Sequence, residues 1–236
     1  MNLFDNIMNL FDKLYAERGK NLPGFWHWPN FVESYCLKKL LKKYKIKGLI
    51  LDAGCGVGLK LEVLKGYRVV GFDISIEGLK VAKESNFPLV RASIHILPFK
   101  DKSFDLVYSF QVLQHLPTWD LIEISFSEIS RILKIGGIFI TSNYRLGGML
   151  KERYKPVMDG ENVVLPRWAF RIEDYKILGE KNSMKLIKCG SILNFKPRLV
   201  GRIPSIKPLW ASLDYLMFQS GIQKGLYLFG VFKKIG

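Results

Sequence analysis

The sequence predicts an α/β protein with a doubly wound, mostly parallel sheet of seven strands. From about residue 47, short apolar runs that suit buried strands alternate with helical stretches, which is typical of a parallel sheet covered on both faces. The first run leads into the glycine-rich turn LDAGCGVG at 51–58, and the second ends in an acid at Asp73. Ligands of such sheets lie at the carboxyl ends of the strands, so the turn and the acid should belong to one site.

The first 46 residues predict helices ahead of the sheet. In MNLFDNIMNLFDKLYAERGK, the apolar residues that share one helical face are Leu3, Ile7, Leu10, Phe11 and Leu14. The stretch LKKLLKKYKIKG at 37–48 places leucines toward a core and lysines toward water. We expect residues 1–46 to form a helical cap over the active site and residues 47–236 to form the core domain.

Seven apolar runs predict the strands of that core. Five come first, in GLILDAG, YRVVGFDIS, FPLVRASI, SFDLVYSFQV and IFITSNY. Helices are expected over residues 57–65 and in IEGLKVAKES and LIEISFSEISRILK, with an Ile-Gly-Gly turn at 135–137. FRIEDYKILGEKNSM then predicts a helix, and MKLIKCGSIL and GLYLFGVFKK complete the sheet. The segments at about 145–170 and 203–223 fit no strand–helix unit, and we expect them to be inserted cap segments.

Charge is the unusual global property of the chain. Its 36 Lys and Arg residues against 21 Asp and Glu residues give a formal net charge of +15. This excess favours a nucleic acid or an acidic membrane surface as a partner, and it equally suits a lysine-rich composition on solvated helices. The 3 cysteines are widely spaced, which indicates a reduced, cytoplasmic compartment and gives no metal signal. Without a secretory signal or a transmembrane run, we expect a soluble protein, and a homodimer is one assembly that the sequence allows.

The glycine turn narrows the choice of ligand. A phosphate-binding P-loop requires Gly-Lys-Ser/Thr, which does not follow the turn. The dinucleotide pattern needs its third glycine five positions after the first, whereas Gly54, Gly56 and Gly58 place it four positions after. Close packing of a neighbouring helix is the structural alternative. Asp73 can accept two hydrogen bonds from a ribose diol, which favours a nucleoside ligand.

Four stretches of the chain, taken together, resemble the motifs of one enzyme family. LILDAGCGVG, VVGFDIS, LPFKDKSFDLVYSFQVLQHL and EISRILKIGGIFI are similar to the successive motifs of class I S-adenosylmethionine-dependent methyltransferases. The similarity is greatest to the branch that modifies small molecules and quinone-type lipids, and it is tight over residues 48–142. It implies the Rossmann-like methyltransferase fold with an antiparallel last strand, and S-adenosylmethionine as the cofactor.

The resemblance also assigns contacts to the methionine and ribose portions of that cofactor. The three glycines of the turn would let the backbone approach these portions. Asp52 would hold the methionine amino group, with a structural role as turn acid or helix N-cap as the alternative. Asp73 would hold the ribose hydroxyls. The backbone at Phe110 and Gln111, just after the fourth strand, occupies the position whose carbonyl usually meets the methionine amine.

Adenine contacts are implied at the ends of the second and third strands. Ile74 would pack against the adenine face. The family commonly carries an acid at the position of Ser93, where it accepts from the adenine amino group. A serine hydroxyl can accept the same bond without the charge, and the backbone of Ile94 can serve the ring nitrogen. His95 is expected to face solvent or the loop.

Candidate catalytic residues follow from the same resemblance and from an aromatic cluster. A general base is needed only when the acceptor must lose a proton. His115 resembles a family position near the reactive end of the cofactor, with a structural hydrogen-bonding role as the alternative. His27 lies in GFWHWPNF, which predicts either an apolar acceptor pocket with His27 as its base or a packed corner between helices. Tyr144, past the fifth strand, points to the same rim.

The sequence therefore predicts an S-adenosylmethionine-dependent methyltransferase that acts on a small, apolar or lipid-like acceptor. An RNA methyltransferase using the basic surface is one alternative, and a non-catalytic methyltransferase-like binding module is another. YSFQ stands after strand four, where adenine- or glutamine-modifying enzymes would carry Asn-Pro-Pro-Tyr, and no cysteine pair suits cytosine C5 chemistry. Those two common nucleic-acid functions are thereby disfavoured.

Overall fold

The computed structural model describes residues 3–21, 27–159, 163–194 and 206–236. Its nine strands are β1 (Leu49–Ala53), β2 (Arg68–Asp73), β3 (Leu89–Arg91), β4 (Phe104–Phe110), β5 (Leu133–Tyr144), β6 (Val157–Asp159), β7 (Val163–Leu165), β8 (Met184–Ile192) and β9 (Tyr227–Lys234). Seven of them form one sheet in the order β3-β2-β1-β4-β5-β9-β8, in which β9 runs antiparallel to β5 and β8. The predicted fold class is confirmed, including the antiparallel last strand. β6 and β7 form a separate antiparallel pair within the predicted insertion at 145–170.

Six α-helices accompany the sheet in the described part of the chain. They are α1 (Leu3–Arg18), α2 (His27–Lys43), α3 (Ile76–Ala82), α4 (Trp119–Ile132), α5 (Ile172–Lys181) and α6 (Lys207–Gln219). None of these helices has both the length and the apolar character needed to cross a bilayer.

Two local predictions were wrong, both beside glycines. The helix expected over 57–65 is a single 3₁₀ turn at Leu61–Leu64, because Gly58 (φ +80°) and Gly66 (φ +92°) hold the backbone in the left-handed region on either side of it. The Ile-Gly-Gly turn at 135–137 lies inside β5. Gly136 has φ +81° there, and the pairing of β4 with β5 shifts register at this point, so the strand continues past an irregularity.

Both faces of the sheet are buried, as a parallel sheet requires. Alternate residues of each strand face opposite sides: Ile50 belongs to the core cluster that includes residues of α2, α3 and α6, whereas Leu51 belongs to the cluster that includes residues of α4 and α5. The sheet edge at which β1, β2 and β4 end is left between the two helical layers.

The two N-terminal helices occupy different places. Helix α2 belongs to the covering layer, since its residues Val32, Cys36 and Leu37 are fully buried in the core. Helix α1 packs against α3 and β7, and its Asp12 accepts hydrogen bonds from the Ser75 hydroxyl and the Glu77 amide at the start of α3. Among the described residues of the predicted cap, α1 supplies Ile7, Phe11 and Tyr15 to the cavity lining and α2 supplies Asn30. The role of this segment as a cap stays a prediction.

Candidate active site

A cavity lies where β1, β2 and β4 end, with α1 as part of its wall. It encloses about 1210 Å³ when the space open to solvent at its mouth is included. Nine of the ten predicted cofactor-binding residues line it: Asp52, Gly54, Gly56, Asp73, Ile74, Ser93, Ile94, Phe110 and Gln111. The tenth, Gly58, instead packs under α3, where a Cβ would approach the Ala82 Cβ to 3.1 Å.

The glycine turn combines left-handed backbone with close approach. Gly54 has φ +87°, and a Cβ built there would lie 2.2 Å from a Val112 methyl carbon. Gly56 has φ +51°, and its Cβ would lie 2.8 Å from the Tyr15 hydroxyl of α1. The amides of Gly54 and Cys55 both donate to the Phe72 carbonyl oxygen, which fixes the turn to β2. Side chains at these positions would therefore displace a cavity wall as well as strain the backbone.

Asp73 ties the turn to the start of α3. Its Oδ2 accepts from the Gly56 amide at 2.7 Å, and its Oδ1 accepts from the Ser75 amide at 2.9 Å. Burial raises the pKa of this carboxyl, and the amide hydrogen bonds oppose the rise. A carboxylate has about four lone-pair sites, so Asp73 retains the capacity to accept a further hydrogen bond from the cavity.

Asp52, at the end of β1, is a buried acid with an unused acceptor. Only 2% of the residue is exposed, and its Oδ2 has no hydrogen-bond partner in the described structure. Burial raises the pKa of Asp52 to about 7, although the nearby Tyr108 hydroxyl and Lys60 ammonium partly oppose this rise. A buried polar atom without a partner is costly, so the site fits a ligand that brings a hydrogen-bond donor or a positive charge.

A polar cluster beside Asp52 was missed by the sequence analysis. The fully buried Glu33 of α2 forms an ion pair with Lys60 at 3.1 Å and accepts from the Gln111 side-chain amide at 3.0 Å. Gln111 itself has φ +61°, a left-handed conformation uncommon for non-glycine residues, at the point where the chain leaves β4. Lys60 and Asn30 line the cavity. The feature of the sequence that could have revealed this cluster is Glu33, an acid on the otherwise apolar face of α2.

Helix α1 supplies an aromatic and aliphatic wall. Ile7, Phe11 and Tyr15 recur at spacings of four and line the cavity. Phe11 meets the His115 ring edge-on, with 6.0 Å between ring centres. The predicted apolar face of this helix included Ile7 and Phe11 but not Tyr15. Tyr15 is absent from that prediction because its hydroxyl gives the position a polar character in the sequence pattern.

His115 lines the cavity with both ring nitrogens engaged. Its Nδ1 faces the Pro166 carbonyl oxygen at 2.8 Å, and because a carbonyl can only accept, Nδ1 carries the proton. Nε2 then accepts from the Gln114 side-chain amide at 3.1 Å. Burial lowers the pKa of His115 to about 4, so the ring is neutral at physiological pH. This arrangement gives His115 a hydrogen-bonding role in the described structure and leaves no free lone pair for a substrate proton.

The other two candidate catalytic residues lie elsewhere. Tyr144 is buried between the His115 and Tyr227 rings and does not line the cavity. His27 is exposed at the first residue of α2, away from the cavity wall. In the same aromatic cluster, Trp28 is buried and stacks on Phe31, whereas Trp26 lies outside the described residues. The described residues of the cluster, 27–31, therefore place no base in this cavity.

Comparison with known proteins agrees with the site. A family model described as a methyltransferase domain matches residues 51–141. A candidate methyltransferase of Encephalitozoon cuniculi is 30% identical over 168 residues, covering 68% of this chain and 75% of that protein. An uncharacterized protein of Methanocaldococcus jannaschii is 36% identical over 139 residues, or 58% of this chain, and the match spans 48% of that protein's length.

Solved structures show the same architecture. A candidate methyltransferase of Haloferax volcanii, in complex with the Trm112 methyltransferase activator, superimposes with a TM-score of 0.67. It covers 98% of both chains at 20% identity, which establishes a shared fold. The chain belongs to the class I S-adenosylmethionine-dependent methyltransferases, with S-adenosylmethionine as its methyl donor.

Proposed function

We propose that this methyltransferase acts on a small, apolar or lipid-like acceptor that enters the cavity beside α1. The observation that carries the proposal is the character of the cavity walls. The polar groups of the walls lie at Asp52, Asp73 and Ser93 and in the polar cluster that contains Lys60. The remaining lining is mostly hydrocarbon. An acceptor with an apolar body buries that hydrocarbon surface, which an ionic acceptor would not.

The polar groups have the chemistry to hold the cofactor. Asp52 offers its unpartnered oxygen to the methionine amino group, and Asp73 offers its remaining acceptor capacity to the ribose hydroxyls. The Ser93 hydroxyl contacts His95 Nδ1 at 2.8 Å. When it donates to that nitrogen, its own lone pairs remain for the adenine amino group. Ile74 and Ile94 supply apolar contact for the ring.

Catalysis would consist mainly of positioning. When bound, S-adenosylmethionine supplies a methyl group already activated on a sulfonium. Gly54 and Gly56 leave room for close approach, and the left-handed backbone at Gln111 sets the chain direction beyond β4. Holding two reactants in line accounts for roughly 7–11 kcal/mol of a barrier. Tyr15 and Phe11 of α1 would exclude water from the reacting atoms.

The cavity also restricts the acceptor atom. His115 has both nitrogens engaged, Lys60 is paired with Glu33, and the two aspartates serve the cofactor. The described lining thus holds no group placed to abstract a proton. We infer an attacking atom that is nucleophilic without a protein base, such as an amine nitrogen, a carboxylate oxygen or an electron-rich carbon.

Partition of transferred label tests the proposal. The enzyme is incubated with methyl-labelled S-adenosylmethionine and a total cell extract, which is then separated into organic, aqueous small-molecule and acid-precipitated nucleic-acid fractions. We expect label in the organic fraction with the native chain and none above background with Asp73→Ala. Label confined to precipitated RNA would contradict the proposal and support the basic surface as an RNA-binding face.

A further inference from the structure

The outer surface shared by α2 and α6 combines exposed hydrocarbon with lysines. We define the α2–α6 face by seven of the exposed residues of the two helices: Phe31, Lys38, Lys39, Lys42, Lys43, Leu209 and Leu216. Leu209 and Leu216 are 58% and 59% exposed, and Phe31 is 36% exposed. Seven residues make about two helical turns, so the two leucines lie on the same side of α6. Exposed leucines at this spacing form a ridge, which isolated surface leucines do not.

The charge of this face has one sign. Each of the two helices contains a single acid, and both acids are fully buried. Glu33 belongs to the polar cluster beside Asp52, where it contacts Lys60 and Gln111. Asp214 accepts hydrogen bonds from the backbone and side-chain amides of Asn194. The lysines of α2 therefore have no carboxylate of either helix on the exposed surface to neutralise them.

The two helices are held as one surface and run in the same direction. The Tyr35 and Tyr215 rings meet edge-on with 6.4 Å between centres, and Lys43 Nζ donates to Gln219 Oε1 at 2.8 Å. Phe31 and Leu209 precede these contacts in their helices. They therefore lie toward the end of the face at which Asn30 reaches the cavity, and the lysines extend away from it.

We propose that the α2–α6 face docks on an anionic lipid bilayer. A bilayer surface offers both partners that the face needs: anionic headgroups for the lysines and hydrocarbon for Phe31, Leu209 and Leu216. Nucleic acid would leave the leucine ridge without an apolar partner. A second copy of the chain would bring one lysine row against another. The proposal goes beyond the methyl-transfer function, and docking would place the cavity end of the face beside acceptors dissolved in the membrane.

Vesicle binding by the full chain, without cofactor or acceptor, tests the proposal. Vesicles of phosphatidylcholine with phosphatidylglycerol should bind the native chain, and vesicles of phosphatidylcholine alone should bind it weakly. Each lysine near an anionic membrane contributes about fivefold in affinity, so Lys38→Gln/Lys42→Gln should weaken binding by roughly 25-fold. The matched control Lys100→Gln/Lys176→Gln removes the same charge from exposed positions in the β3–β4 loop and on α5, and it should change binding less than about twofold.

The apolar ridge has its own matched pair. Leu209→Ser/Leu216→Ser should weaken binding to anionic vesicles, whereas Ile124→Ser/Ile177→Ser, at 46% and 52% exposed positions on α4 and α5, should leave it unchanged. Equal losses in a test pair and its control, or no dependence on phosphatidylglycerol, would overturn the proposal. A dimer in solution that Leu209→Ser/Leu216→Ser dissociates would also overturn it. Because no methyl transfer is measured, failure here leaves the proposed function intact.

Discussion

Replacing Asp52 with asparagine should stabilise the empty protein while weakening its hold on the cofactor. Burial raises the pKa of Asp52 from 3.8 to about 7. At about 1.4 kcal/mol for each pKa unit, ionising this carboxyl costs the folded state on the order of 4 kcal/mol. The pKa of Asp52 is higher in the folded protein than in the unfolded chain. The native protein therefore avoids this cost below about pH 4, where the carboxyl is protonated in both states, and it loses stability as the pH rises from 4 toward 7.

Chemical denaturation of native and Asp52→Asn protein at pH 5 and pH 8 measures the stability effect. We expect the free energy of unfolding of the variant to exceed the native value by a few kcal/mol at pH 8 and by less at pH 5. The exposed control Glu152→Gln should shift neither value by more than about 0.5 kcal/mol. A variant less stable than the native chain at pH 8 would refute the reasoning.

Calorimetric titration with S-adenosylmethionine measures the other half of this prediction. A hydrogen bond to a charged group contributes about 1.5–3 kcal/mol, so Asp52→Asn should bind roughly 10- to 150-fold more weakly. The bound ammonium favours the ionised carboxyl, so native affinity should rise about tenfold between pH 6 and pH 8, with a proton released on binding. A native affinity independent of pH over this range would contradict the role given to Asp52.

Further predictions concern the glycine turn, the polar cluster and His115. Gly54→Ala should lower the free energy of unfolding by roughly 2–5 kcal/mol because it adds a clash with Val112 to the backbone strain. The control is Gly66→Ala, because Gly66 has a similar φ but open space around it. If Gly66→Ala lost as much stability as Gly54→Ala, the clash with Val112 would not be the cause. Lys60→Met/Glu33→Gln removes both partners of the ion pair between the part-exposed Lys60 and the buried Glu33. We expect this variant to bind S-adenosylhomocysteine about tenfold more weakly by calorimetry, while it binds methylthioadenosine, which lacks the amino-acid portion, normally. Equal weakening for both ligands would contradict the expectation that Lys60, which lines the cavity, holds the amino-acid portion of the cofactor. His115→Asn should retain most of the transfer rate, and the native rate should show no limb near pH 6.5 from this residue, because burial lowers its pKa to about 4. A 100-fold fall in kcat at unchanged cofactor affinity would instead indicate a general base.

Much of the cofactor side of the cavity could be predicted from the sequence because it is built from strand ends. Asp52 and Asp73 lie at the carboxyl ends of neighbouring parallel strands, so their proximity follows from the βαβ pattern. Gly58 shows the limit of this reasoning. Its spacing fits the family motif, yet the structure uses it to pack α3 against the turn.

The opposite wall depends on how the N-terminal helices dock, which local periodicity does not specify. The pattern of α1 gave its apolar face, but its position over the cavity depends on Asp12 meeting Ser75 and Glu77, more than 60 residues away in the chain. Glu33 and Lys60 likewise pair across distant segments. His27 was a reasonable candidate by composition, and its exposure follows from where α2 begins.

Hydrogen exchange with and without S-adenosylhomocysteine tests the central claim, that the cofactor lies between the glycine turn and α1. Ligand binding slows exchange where it stabilises local structure. We predict slower exchange at residues 54–58, 73–75 and 110–112 and in α1, with no change in α4 or α6. No added protection at the glycine turn under saturating ligand, or protection confined to another part of the sheet, would contradict this placement.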